Sequence, residues 1–300
     1  MATEIQKHFF HGIVFTILLV FACFSATAQV DAQHSFRIGK VSTNPSNQEE
    51  HIGSMSVFLA AQTGYQNAGT VYTKDIWDMV KKFQRDEVEF FTGSLWEAAV
   101  LVNEGVGEPV AVKFKEQSRI YRSLIVVRAD SDIQSIADLA GKLVAFEDPS
   151  STSAYRIPYL RMRDSGLNLV ENISRPDNNS SVHYRFSNSE QISSAWLYSE
   201  IVDAICISDS DWAKTEHVPD FQKETYRVIY ASPELPRAIE VVRKNISAEH
   251  KQKLKQTLLD PTFPFNEQEL LDDYHETSGF AEIDAETLKA LENFSRYFAR

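Results

Sequence analysis

Cysteine is nearly missing from this chain: two residues in 300, Cys23 and Cys206. Cys23 lies inside an N-terminal apolar run. A processed chain would therefore keep one thiol and no internal disulfide, and its stability must come from core burial. Apolar runs of membrane length are also missing. The N-terminal one, Ile13–Phe24, has twelve residues, well short of the roughly 20 needed to span a bilayer. It follows Lys7 and His8 and precedes Ala26-Thr27-Ala28, which is the layout of an export signal. Cleavage is expected after Ala28, with residues 1–28 excluded from the fold and the periplasm as destination. Acylation at Cys23 is the lesser alternative, because Val20-Phe21-Ala22 places a bulky Phe before it.

Positive charge is in deficit: 30 Lys and Arg against 42 Asp and Glu, for a net −12. That balance excludes nucleic acid and an anionic membrane surface as partners, and any anion site must be a local arrangement of donors. Catalytic groupings are lacking too. There is no Gly-x-Ser-x-Gly elbow, Cys206 sits in an apolar strand-like run, and the histidines (His51, His183, His217, His250, His275) are dispersed without paired-ligand spacing. Gly105-Val106-Gly107 precedes a strand and not a helix, so it is no dinucleotide fingerprint. Asp209-Ser210-Asp211 lacks the central Gly and distal Glu of a calcium loop and reads as a turn. No enzyme activity, cofactor or metal is expected.

What is present is an alternation of strand-like and helix-like segments, the pattern of an α/β protein. Strands are expected at Ser35–Val41, Val88–Phe91, Pro109–Phe114, Tyr121–Arg128, Lys142–Phe146, Val182–Phe186, Val202–Ile207, Tyr226–Tyr230 and Ala238–Arg243. Helices are expected between them and at Ala248–Leu259, Gln268–Tyr274 and Ala285–Phe298, with Asn168–Ser181 as an exposed loop. The order predicts two lobes, 29–128 with 229–300 and an inserted 129–228, separated by a cleft. The acidic C-terminal region, including Glu267, Asp272, Asp273 and Glu276, reads as a solvated helical face.

One stretch stands out. Phe146-Glu147-Asp148-Pro149 leads from a strand into Ser150-Ser151-Thr152-Ser153, which opens a helix. Hydroxyls can cap the helix, while its first N–H groups and the positive end of its dipole favour an anion.

The residues from Tyr121 to Pro158 resemble the phosphate/phosphite/phosphonate-binding family of ABC-transporter substrate-binding proteins. The likeness rests on Asp130-Ser131, on Asp138-Leu139-Ala140-Gly141-Lys142, and on Ala145-Phe146-Glu147-Asp148-Pro149-Ser150-Ser151-Thr152-Ser153. The resemblance implies a two-lobed type II periplasmic binding fold, each lobe a mixed sheet flanked by helices, joined by a two-strand hinge. It implies a monomer that captures a small oxyanion and delivers it to an inner-membrane ABC permease. A ligand-sensing subunit docking on a membrane signalling protein is the alternative. By position, Ser151, Thr152 and Ser153 would hold the oxyanion, with Ser94, Trp96, Glu190 and Asp209 shaping the rest of the cleft. The chain departs from the family at Ala154, where Gly is usual, at Ser187–Glu190, where many members carry His, and at Trp96, where Tyr is common. Glu190 and Asp209 beside a helix N-terminus would suit a zwitterion, a cation or a metal complex.

Overall fold

The computed structural model describes residues 35–42, 49–115, 118–176 and 178–295. The expected export signal and Cys23 lie outside the described residues. Two six-stranded mixed sheets form the frame. The first runs Thr277–Ala281, Gly107–Lys115, Ala238–Arg243, Phe90–Gly93, Phe36–Val41, Ala68–Thr73 in spatial order. The second runs Tyr226–Ala231, Ser123–Arg128, Ala204–Ser208, Leu143–Phe146, Val182–Phe186, Leu169–Glu171.

The strands of the second sheet show why their sequences read as continuous apolar runs. Alternate side chains go to opposite faces. Ile125, Val127, Ala204 and Cys206 pack on one side with Phe146 and Tyr184, while Leu124, Val126, Ile205 and Ile207 pack on the other with Leu197 and Val202. Both faces are covered by helices, so neither set can be polar. Burial raises the Cys206 thiol well above its usual range, which makes it a core residue and no nucleophile. The first sheet is built likewise, with Phe36, Ile38 and Phe90 buried under helix Glu49–Thr63 on one face, and Phe91 and Val112 packed with Leu95, Val100 and Leu291 on the other.

Between the sheets, Ile120–Tyr121 pairs antiparallel with Leu235–Pro236. The chain crosses there in both directions, which corrects the expected boundary. Ser123–Arg128, placed by sequence in the first lobe, hydrogen-bonds to Ala204–Ser208 and Tyr226–Ala231 in the second sheet. The crossing is earlier because the apolar run that looked like one strand from Tyr121 is broken at Arg122 into a hinge pair and a core strand.

Two further strands, Ala68–Thr73 and Thr277–Ala281, are not apparent in the sequence. Both are edge strands, and one is irregular, with a register shift between Thr277 and Gly279. Short, half-exposed edges carry little hydrophobic alternation. Leu169–Glu171 adds a third edge strand inside the expected loop.

The topology also fixes where a ligand can go. Phe36–Val41 and Phe90–Gly93 are parallel, and Gly107–Lys115 runs the same way because each of two successive antiparallel pairings through Ala238–Arg243 reverses direction. Leu143–Phe146, Val182–Phe186 and Ala204–Ser208 are mutually parallel in the second sheet. In open α/β sheets, sites form beyond the carboxyl ends of such strands. Here the residues at those ends, Lys40, Gly93, Lys113 and Lys115 on one side and Glu147 and Ser208 on the other, line a single cleft.

Candidate functional site

The cleft has a volume of about 430 Å³ and is polar on both walls. On the second-lobe wall, the turn after Phe146 is held by its own side chains. Asp148 accepts from Ser150 N at 2.7 Å and Ser150 Oγ at 2.6 Å, and Ser151 N donates to Asp148 O. The Ser151 hydroxyl accepts from Ala154 N at 3.1 Å and so caps the helix. The first turn, Thr152–Arg156, is wide, with Arg156 N reaching back to Ser151 O; the α-helix proper continues over Ile157–Asp164. Such π-type turns often occur at functional sites. The Thr152 and Ser153 N–H groups meet no acceptor among the described residues, as expected for the first turn of a helix.

The hydroxyls at this turn have other duties. Thr152 Oγ1 accepts from Trp96 N at 3.1 Å, a bond that joins the two lobes. Ser123 Oγ donates to Ser153 O at 2.5 Å. Burial, partly offset by Arg237 and by the Ser153 and Thr152 hydroxyls, pushes the Tyr121 phenol up to about 12. An anion at this turn would therefore meet backbone N–H groups and the Ser153 side chain, with the Ser151 and Thr152 hydroxyls engaged elsewhere.

Four cations line the cleft: Lys40, Lys113 and Lys115 from the first sheet, and Arg237 just past the hinge strand. Lys113 donates to Thr92 Oγ1 at 2.7 Å, lies 3.6 Å from Glu240 Oε1 and sits over the Tyr274 ring at 4.3 Å. Burial pulls its pKa down to about 8, with Glu240 opposing. Burial likewise lowers Lys40, against the pull of Glu97. Arg237 donates to Ser210 Oγ and lies 5.4 Å from the Tyr121 ring centroid. His275 is held far below its ordinary pKa by burial and by Lys40 and Lys113, so its imidazole is neutral.

Two carboxylates in the cleft are held toward their neutral forms. Burial first, then Glu190, pushes Glu147 up to about 8. Burial raises Glu97 against the opposing charge of Lys40. Ser94 donates to Glu97 from its N–H at 2.8 Å and its hydroxyl at 3.0 Å. A Cβ on Gly93 would lie 2.5 Å from the same carboxylate oxygen, so glycine is what admits it.

Of the residues singled out from sequence, Ser94, Ser151, Thr152 and Ser153 line this cleft together. Trp96 is buried beside it, against Phe294 and under the Arg156 guanidinium at 4.5 Å, and reaches the cleft through its backbone. The Asp209 carboxylate accepts from Arg122 N at 2.9 Å, and of these two aspartates it is Asp211 that lines the cleft. Glu190 opens helix Glu190–Tyr198, near enough to Glu147 to raise it. Lys40, Lys113, Lys115, Tyr121, Glu147 and Arg237 were not found by sequence reasoning. The available signal was a lysine breaking an apolar strand, as in Val110-Ala111-Val112-Lys113.

No helix among the described residues is long and apolar enough to cross a membrane. No curated protein matches the chain. Among solved structures, XAC2383 from Xanthomonas citri bound to ATP is 23% identical, covering 87% of this chain and 96% of its own, with a TM-score of 0.80. A binding protein component of an ABC phosphonate transporter (PA3383) from Pseudomonas aeruginosa is 20% identical over 88% of this chain and 87% of its own, at 0.62. PhnD1 from Prochlorococcus marinus in complex with methylphosphonate is 14% identical over 88% and 98%, at 0.63. At these identities the likeness is one of fold. The family described as "ABC transporter, phosphonate, periplasmic substrate-binding protein" matches residues 40–288, and the chain belongs to this family of two-lobed periplasmic binding proteins.

Proposed function

We propose that the cleft captures a small oxyanion of the phosphonate, phosphate or phosphite class and presents it to an inner-membrane ABC permease. The observation that carries this reading is the meeting of two donor sets in one cleft. The acceptor-free N–H groups of Thr152 and Ser153 belong to the second lobe, and Lys40, Lys113 and Lys115 to the first. Helix-start N–H groups and ammonium groups both favour phosphoryl oxygens, and charge-assisted bonds are the stronger kind. A ligand touching both lobes would favour the closed arrangement by its own binding energy. Two solved structures of similar fold, one bound to ATP and one in complex with methylphosphonate, hold ligands that both carry phosphoryl oxygens. Asp148 and Asp211 line the same cleft and would accept an ammonium substituent, which favours 2-aminoethylphosphonate over methylphosphonate.

Isothermal titration of ligand-free protein with methylphosphonate, 2-aminoethylphosphonate, phosphate and phosphite tests the reading. At least one should bind one-to-one with a Kd of about 1 μM or lower, near −8 kcal/mol, with the aminophosphonate tighter than methylphosphonate. Failure of all four to bind would rule out this ligand class.

A further inference from the structure

At the edge of the cleft three side chains from separate segments converge. Glu190 opens helix Glu190–Tyr198, Asp211 lies in the short helix Asp209–Ala213, and His217 follows that helix. One donor atom from each lies within 4.8 Å of both others, and all three residues are partly buried. We propose that Glu190, Asp211 and His217 form a three-ligand site for a divalent transition-metal ion, with Zn²⁺ as the first candidate.

The His217 imidazole supplies the independent observation. Its Nδ1 is buried without a hydrogen-bond partner, yet lies 3.3 Å from Asp211 Oδ1. A buried ring nitrogen left unbonded that close to a carboxylate oxygen is costly for a polar group. The spacing is what two ligands of one ion require. Zn–N and Zn–O distances of about 2.0–2.2 Å put neighbouring tetrahedral ligand atoms roughly 3.3–3.5 Å apart.

The surroundings fit. The other Asp211 oxygen is anchored by Ser208 Oγ at 2.5 Å, which leaves Oδ1 aimed at His217. Such an outer hydrogen bond is how metal ligands are oriented. Lys214 Nζ pairs with the same Oδ1 at 3.7 Å, a contact that an ion would replace. Glu190 and Asp211 bring two carboxylates to the same point, and an ion between them would offset the repulsion expected of like charges. One imidazole nitrogen with two carboxylates suits Zn²⁺ and its transition-metal neighbours better than Mg²⁺ or Ca²⁺, which prefer all-oxygen sets. Three protein ligands leave a coordination position open, and Asp211 is shared between this cluster and the cleft. The ion would thus sit at the cleft's acidic edge.

Sequence spacing could not reveal this site, because Glu190 joins the other two only through the packing of separate helices. The test uses Zn²⁺ alone, without any oxyanion, so its outcome is independent of the proposed ligand class. Chelator-treated protein should bind one Zn²⁺ saturably in a calorimetric titration, and Co²⁺ in its place should give visible bands of a low-coordinate nitrogen–oxygen site. His217→Ala and Glu190→Gln should each weaken binding by more than the roughly 10–100-fold typical of losing an outer-shell partner, while keeping the metal-free circular dichroism spectrum and Tm. Absence of saturable binding to the wild-type chain would overturn the proposal. So would unchanged affinity in both folded variants, which would move the ion elsewhere.

Discussion

Lys113→Met should destabilise the folded protein by about 3–5 kcal/mol, the usual result of removing one member of a buried ion pair. Glu240 is fully buried and takes hydrogen bonds from Thr92 Oγ1 at 3.1 Å and Tyr274 Oη at 3.2 Å. Its charge is balanced by Lys113 at 3.6 Å. Methionine fills the space of the lysine stem but removes the ion-pair partner of that carboxylate, leaving Lys40 to act on it from beyond ion-pair distance. Burial already raises the Glu240 pKa against the pull of Lys113, so losing the lysine raises it further. The deficit should therefore shrink as pH falls and Glu240 takes a proton. Glu240→Gln in the same chain should recover much of the loss, because it removes the orphan charge and keeps a hydrogen-bonding side chain. Denaturant unfolding across a range of pH measures all three effects. A loss below about 1 kcal/mol, typical of an exposed pair, would show that the pair does not hold this wall of the cleft.

Ser153→Asp should reduce oxyanion affinity by at least about 100-fold, since like charges placed together at a binding surface cost several kcal/mol. Ser153 is 8% exposed and lines the cleft at the turn where the N–H groups are free. Ser153→Ala should cost less, on the order of tenfold, the worth of one hydrogen bond to a charged group. The contrast matters because an anion site built on backbone donors survives loss of a hydroxyl but not arrival of a carboxylate. Titration calorimetry on both variants, with Tm to confirm folding, decides it. Equal and small effects would place the anion elsewhere.

Much of this architecture was legible before any coordinates. The apolar runs Tyr121–Arg128 and Val202–Ile207 read as strands, the first of them as a buried one, and the hydroxyl-rich turn at Ser151–Ser153 read as a helix start. What escaped was whatever depends on strands meeting far along the chain. Lys40 and Lys113 are 73 residues apart in the chain, and sheet order alone brings both to one wall. Each looks like a surface charge when read in its own strand. The same holds for roles within a motif. Sequence shows that Asp209 and Asp211 are close, but not that Arg122 N occupies the first and leaves the second to the cleft. It shows three hydroxyls, but not that Trp96 N and Ala154 N take two of them.

The central claim is that an oxyanion is held between the Thr152–Ser153 N–H groups and the lysines of the first lobe. A crystal structure with the tightest ligand of the titration panel tests it most directly. The account predicts oxyanion oxygens within about 3 Å of the Thr152 and Ser153 N–H groups, with at least one of Lys40, Lys113 or Lys115 on the opposite side. An anion bound elsewhere, with both N–H groups facing water, would contradict it.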